Sequence, residues 1–264
     1  MNYFLDTEFL EGTQKTFLGI SKPTIDLISI GIVAEDGREY YAVSKDFNLK
    51  EAWNRFDLVK KNRFQTDGET YYEKVYWIRD NVLFPIYIDY VHGDMRNHIH
   101  FTYKNMKGIL KGFGKSNKQI AEEVYEFCSN DYHKGNNLSF VERKKYDLYD
   151  KFKPVFYGYY SNYDWVVFCW LFGKMIDLPK GFPKYCIDLK QELDRRFPNG
   201  KYGTTVVIPK LVNGTLLAEL SPKTEYKEIN IKEHPNYPKQ NNEHNALSDA
   251  KWNFELFQFL QGVS

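Results

Sequence analysis

Five residues of this chain have the types and spacing to do chemistry together. Asp6 and Glu8 stand two apart in a segment, Asn2 to Glu8, that alternates Tyr3, Leu5 and Thr7 against Asn2, Phe4, Asp6 and Glu8. That alternation is a strand pattern, and residues two apart on a strand point the same way with Cα atoms ~6.6–7 Å apart, so the two carboxylates can share one cation. Asp164 precedes Val167, Phe168 and Leu171 at the offsets that make an apolar stripe on a helix. Asp249 stands in the same relation to Trp252, Asn253 and Leu256, five residues behind His244. An inward-facing carboxylate without a partner costs several kcal/mol, so three elements that each place one there point to a shared compensating charge. All-oxygen donors select Mg²⁺ or Mn²⁺ over zinc. Taken singly, each feature has an ordinary structural reading, such as an aspartate capping a helix.

These groups have to be positioned by regular elements. Ile25 to Ala34 is a β-branched run, Glu35-Asp36-Gly37 a turn, and Glu39 to Val43 a second run. Asp-Gly between two such runs reads as a hairpin, which predicts an antiparallel meander of strands 2–8, 25–34 and 38–43. Val155 to Tyr159 reads as a short central strand and Tyr163 to Phe172 as the helix after it. Asp188 to Arg196 is a further helix, stopped by Pro198-Asn199-Gly200. A linker rich in Pro, Asn and Lys, His234 to Asn242, leads to a last helix from about Ala246 to Leu260. Ser116 followed by Gln119 has the capping-box spacing, with Ile120, Val124, Phe127 and Cys128 as the stripe behind it. Trp77 to Leu83 is a weaker helix candidate, and Tyr202 to Ile231 is strand-like without a clear order. Helix and strand patterns in alternation predict an α/β fold, a mixed sheet carrying helices on both faces.

At 264 residues the chain has room for one large domain or two small ones. There is no run of about 18 apolar residues and no basic-then-apolar leader, which argues against a membrane-spanning protein and a secreted precursor. Cys128, Cys169 and Cys186 are too few and too irregular for a disulfide framework or a cysteine zinc site, and fit core thiols in a reducing cytoplasm. With 36 Lys+Arg against 35 Asp+Glu the chain is no polycation, so a nucleic-acid partner would have to be gripped locally. The 21 Tyr and 20 Phe are there to fill a core or to stack on bases.

In chain order, Phe4-Leu5-Asp6-Thr7-Glu8-Phe9, Asn162-Tyr163-Asp164 and His244-Asn245-Ala246-Leu247-Ser248-Asp249 resemble the motifs of the DEDDh 3′-to-5′ exonuclease superfamily. The closer resemblance is to its polyadenylate-specific exoribonucleases, the ribonuclease AS family. It is carried by Leu5 to Phe9, Ile25 to Tyr41, Tyr159 to Val166, Leu171 to Leu189 and Glu243 to Trp252. The resemblance implies a ribonuclease-H-like fold in a single exonuclease domain, 1–264, with family-atypical insertions near 89–150 and 195–232. In the wider superfamily an Asn stands four residues before the second-motif Asp, where this chain has Tyr160, a departure that tells against a proofreading-type assignment.

The family mechanism uses two Mg²⁺ or Mn²⁺ ions on the scissile phosphate. The resemblance makes Asp6 the bridge, with Glu8, Asp164 and Asp249 completing the metal shells and His244 the general base. Histidine suits that work as a residue type, since imidazole titrates near pH ~6.5. Phe9 is a candidate stacking face for the terminal base, or a core aromatic. The partner implied is the 3′ end of single-stranded, adenosine-rich RNA, shortened to AMP, with a homodimer left open. A DNA-directed or oligonucleotide-degrading relative is the alternative, and a pseudoenzyme that binds without cleaving is a second class. Two other groupings carry less. Gly112-Phe113-Gly114-Lys115-Ser116 echoes a phosphate loop, but Ile109 stands where its first Gly is needed. His92, Asp94, His98 and His100 have metal-ligating types but no further donor, and read as surface residues.

Overall fold

Among the described residues the main sheet has five strands, in the order β3 (Glu39–Val43), β2 (Ser21–Ala34), β1 (Asn2–Lys15), β6 (Val155–Gly158) and β7 (Ile187–Asp188). The computed structural model describes residues 1–15, 19, 21–62, 70–91, 100–129, 153–208, 211–212, 215–216 and 223–263. β1, β2 and β3 are antiparallel, as their hairpin signals predict, while β1–β6 and β6–β7 are parallel. The expected mixed α/β sheet flanked by helices, consistent with a ribonuclease-H-like fold, is therefore present.

The alternation in β1 sorts its side chains onto two cores. Tyr3 and Leu5, with Ile30 and Ile32 of β2, pack under the helices Asn117–Ser129 and Asn162–Phe172 through Ile120, Val124, Val167 and Phe168. Phe4 and Val33 face the opposite way and pack against Ala250, Phe254 and Phe257 of the terminal helix Ala246–Gly262. Burying each such side chain stabilises the fold by ~1.5–3 kcal/mol. Along that second face the cross-strand pairs change character, from Phe4↔Val33 to Asp6↔Gly31 and then Glu8↔Ser29. The same face is thus apolar where it holds the helix and acidic where the helix begins.

Two glycines let the helices come close. A Cβ at Gly31 would lie 2.2 Å from the Ala246 carbonyl oxygen, and one at Gly158 would lie 2.7 Å from Ser161 Cβ, at the turn before helix Asn162–Phe172. The β1–β6 ladder ends at the pair Phe4↔Tyr157, so the Leu5 carbonyl beyond it is free for another donor. Asn253 of the terminal helix fills that place, donating Nδ2 at 2.9 Å. A crevice opens where β1 and β6 part, the usual ligand position in open α/β sheets.

Several elements differ from expectation. β1 and β2 run on to Lys15 and back from Ser21, past a register shift at Glu8/Phe9 that leaves Ile28 as an extra residue on β2. The bulge breaks the period of two and hides the rest of the hairpin in the sequence. From Trp77 the chain makes a π-helical turn, Arg79–Leu83, and continues as helix Phe84–Tyr90, because Pro85 has no N–H for an ordinary helical bond. Ser116 Oγ does accept from the Gln119 N–H at 3.2 Å, but the Gln119 side chain goes to Glu123, so half of the capping box forms. Helix Tyr103–Phe113, capped by Thr102, ends on the Gly112 to Ser116 segment, which is a helix end and not a phosphate loop. Outside the main sheet the described residues include three antiparallel ribbons: β4 (Asp57–Asn62) with β5 (Thr70–Val75), Lys201–Ile208 with Lys223–Asn230, and the short pair Leu211–Val212 with Thr215–Leu216. Cys128 and Cys169 are buried and Cys186 is half-buried. Of the histidine group, His92, Asp94 and His98 lie outside the described residues and His100 is exposed. Among the described residues no helix is long and apolar enough to cross a membrane.

Candidate active site

Asp6, Glu8, Asp164, His244 and Asp249 line one cavity of about 360 Å³, together with Thr7, Phe9, Tyr159, Tyr160, Tyr163, Gln240, Trp252 and Asn253. Carboxylate oxygens of Asp6, Glu8 and Asp249 lie within 4.8 Å of one another. The alternating strand brings the first two together, and the close seating of the terminal helix on Gly31 delivers the third. Asp164 arrives from the other side of the sheet. Its Oδ1 accepts from the Thr7 N–H at 2.9 Å and from Thr7 Oγ1 at 2.7 Å, which ties the helix directly to β1 between the two strand carboxylates.

Asp249 is held by the segment before its helix. Gln240 Nε2 donates to Oδ1 at 2.7 Å and the His244 N–H donates to Oδ2 at 2.9 Å. His244 takes a left-handed backbone, φ 69°, and its ring lies edge-on to Trp77 with centroids 4.7 Å apart. Asn245 then caps the helix, accepting from the Leu247 and Ser248 N–H groups, and its Nδ2 reaches Asp89 at 3.1 Å. A capping side chain that also bonds across to a second element fixes the entry angle as well as the helix start.

The electrostatics are those of crowded, buried anions. Burial, then the charges of Asp164, Glu8 and Asp249, push the Asp6 carboxyl well above the usual range. Burial and the charges of Asp249 and Asp164 raise Glu8 to about 8. Burial raises Asp164 to about 6 against the opposing Thr7 hydrogen bonds, and raises Asp249 against those from Gln240 and His244. No lysine or arginine lines the cavity among the described residues. Four hard-oxygen donors that converge without a lysine or arginine among the described lining residues could hold a divalent metal of the Mg²⁺ or Mn²⁺ type.

Phe9 is half-buried against the core and also lines the cavity, its ring 5.7 Å from that of Tyr163. Tyr160, at the departing motif position, has a left-handed φ of 53° and is exposed into the same cavity. Reasoning from sequence overlooked Thr7, Gln240, Trp77 and Gly31. Thr7 had a signal, being a polar residue on the apolar side of β1, but the other three stand in ordinary contexts.

Two curated proteins from strains of Mycobacterium tuberculosis, each named a 3′-5′ exoribonuclease, are 51% identical to this chain over 63 residues. Over that stretch the chain is similar to exoribonucleases. The stretch is 23% of this chain and 32% of each relative, so the chain spans about a third of the length of the relatives it matches. No protein-family model matches the chain.

Proposed function

We propose that the chain is a metal-dependent 3′-to-5′ exoribonuclease of the DEDDh, ribonuclease AS type, which shortens single-stranded, adenosine-rich RNA and releases AMP. The observation that carries this reading is the convergence of Asp6, Glu8 and Asp249 within 4.8 Å, with Asp164 beside them and no lysine or arginine in the cavity among the described residues. The similarity to proteins named 3′-5′ exoribonucleases supports it.

In this reading Asp6, Glu8, Asp164 and Asp249 would hold two divalent ions, whose charge when bound would offset that of the scissile phosphate and lower the pKa of the attacking water. The residues do the rest. His244, whose backbone is fixed through Asp249 and whose ring rests on Trp77, takes the proton of the attacking water. The water oxygen bonds to the phosphorus of the terminal nucleotide, the bond from that phosphorus to the 3′ oxygen of the preceding nucleotide breaks, and the departing oxygen takes its proton from solvent. Phe9 and Tyr163 offer aromatic faces for the terminal base. Thr7 keeps the Asp164 carboxylate aimed while the charge around it changes.

The test is parallel digestion of A, U, C and G homopolymers and oligo(dA), end-labelled, with Mg²⁺ or Mn²⁺. The expected result is release of AMP from the 3′ end of the A homopolymer faster than from any other, and none in chelator. Equal rates on all four RNAs remove the adenine preference, faster oligo(dA) cleavage moves the assignment to DNA, and no cleavage of any polymer leaves a binding module.

A further inference from the structure

The β4–β5 ribbon stands out because its described residues are buried on neither face. A lone two-stranded ribbon is marginal in water, and exposed apolar groups on one invite a partner. The antiparallel register pairs Leu58 with Lys74 and Lys60 with Tyr72, so these four share one face. Val59, Glu73, Lys61 and Tyr71 share the other.

The two faces differ in charge and in cover. On the second, Lys61 and Glu73 form an ion pair, and Val59 and Tyr71 are 40% and 41% exposed. On the first, Lys60 and Lys74 have no acid among the described residues of that face, and Leu58 and Tyr72 are 60% and 65% exposed. Lys74 Nζ sits 4.2 Å over the ring of Phe56, and beyond the ribbon Arg79, itself paired with Asp80, sits 4.0 Å over Tyr76. Cations interleaved with aromatic faces form the usual surface for single-stranded nucleic acid, the former on phosphates and the latter under bases. The ribbon also leads to the right place. One residue, Tyr76, separates the end of β5 from Trp77, whose ring touches His244. A second copy of the chain is the less suitable occupant, since a two-fold contact would set Lys60 and Lys74 against themselves.

We propose that this face, Leu58, Lys60, Lys74 and Tyr72, holds the stretch of single-stranded RNA upstream of the nucleotide being removed. The proposal rests on the exoribonuclease reading. It adds a second, electrostatic contact about 17 Å long, the span of a six-residue strand. Long RNA therefore gains affinity that a dinucleotide cannot.

The experiment measures binding of a long A homopolymer and of a dinucleotide to the full chain carrying Asp6→Asn, with and without Lys60→Glu and Lys74→Glu together. The double variant should weaken the long RNA by about tenfold or more at low salt. It should also reduce the salt slope by roughly 1.4, the loss of two single-strand phosphate contacts. Tyr72→Ala should weaken it about fivefold or more through lost stacking. Lys61→Ala, on the paired face, should change it less than about twofold, and dinucleotide hydrolysis by the chain with native Asp6 should be unaffected by the double change. Unchanged affinity for long RNA, or an equal loss from Lys61→Ala, overturns the proposal. So does conversion of a dimer to a monomer by the double variant, which would make the face a contact between copies. If the native chain cleaves no RNA, the exoribonuclease reading fails and takes with it the upstream position, even where the ribbon variants lose binding; if it cleaves RNA while those variants bind normally, the ribbon proposal alone fails.

Discussion

Asp164 and Asp249 reach one cavity from opposite faces of the sheet, and they are secured there by different means. Asp164 is bonded twice to Thr7, a residue of the central strand itself. Asp249 is bonded to Gln240 and to the His244 N–H, both in a segment of turns before the helix. One carboxylate is thus set by the core and the other by a connection whose backbone includes left-handed residues at Asn242 and His244. The difference teaches that half of the site is preorganised by folding while the other half depends on a loop keeping its shape.

The largest effect should come from the residue common to both halves. Asp6→Asn is expected to remove nearly all turnover with the fold intact, because Asp6 feels the charge of both Asp164 and Asp249 and would hold metal together with them. Steady-state rates with Mg²⁺, alongside circular dichroism, check this. His244→Ala comes next, at two to four orders of magnitude in turnover, the usual worth of a general base. Its backbone N–H survives the change, so metal binding by calorimetry should be largely retained; normal turnover across the pH range would make His244 structural.

The contrast itself is tested by Thr7→Val against Gln240→Ala. Thr7→Val strips a donor from a buried oxygen, and should weaken metal binding about 10–100-fold. Gln240→Ala should cost about tenfold or less, because the exposed loop admits water in the amide's place. Titration of Mn²⁺ into both variants decides it, and a larger loss at Gln240 would reverse the assignment of which half is rigid.

The smallest effect expected is one of pH. Glu8 is raised from 4.5 to about 8 in the folded metal-free chain, so folding takes up protons over that range. The stability this gives is present below pH ~4.5 and lost as pH rises toward 8. Melting temperatures without metal should fall across that window, and Glu8→Gln should flatten the fall. Adding Mg²⁺ should stabilise most at its upper end, where the carboxylates are ready to ionise. A slope indifferent to Glu8→Gln would place the burden on another group.

The carboxylates were legible because residue type and order suffice to mark them: Asp6 and Glu8 by the strand period, Asp164 and Asp249 as charges on apolar stripes. The sheet was legible as far as Glu8 for the same reason, and became illegible at Ile28, where one extra residue reverses the sides that the pattern assigns. Helix Tyr103–Phe113 was missed although Thr102 caps it and Tyr103, Met106, Ile109, Leu110 and Phe113 recur at helical spacing, because Gly108 and Gly112 interrupt that stripe. Thr7 and Gln240 were missed because their roles are hydrogen bonds, one of them across 157 positions of sequence. Nothing in a short polar side chain states which distant oxygen it will meet.

Gly31 contributes no atom to any reaction, yet the first carbonyl of the terminal helix occupies the volume that a methyl group there would need. In a survey of every single substitution scored by activity, Gly31 should stand as intolerant as the acidic residues around it. Intolerance and participation would then be indistinguishable by that score alone. They separate on a second axis, because an exchange at Gly31 damages through added volume, alanine less than valine, whereas one at Asp6 damages through lost charge whatever the volume. The size dependence of the injury, more than its depth, tells the scaffold of this cavity from its chemistry.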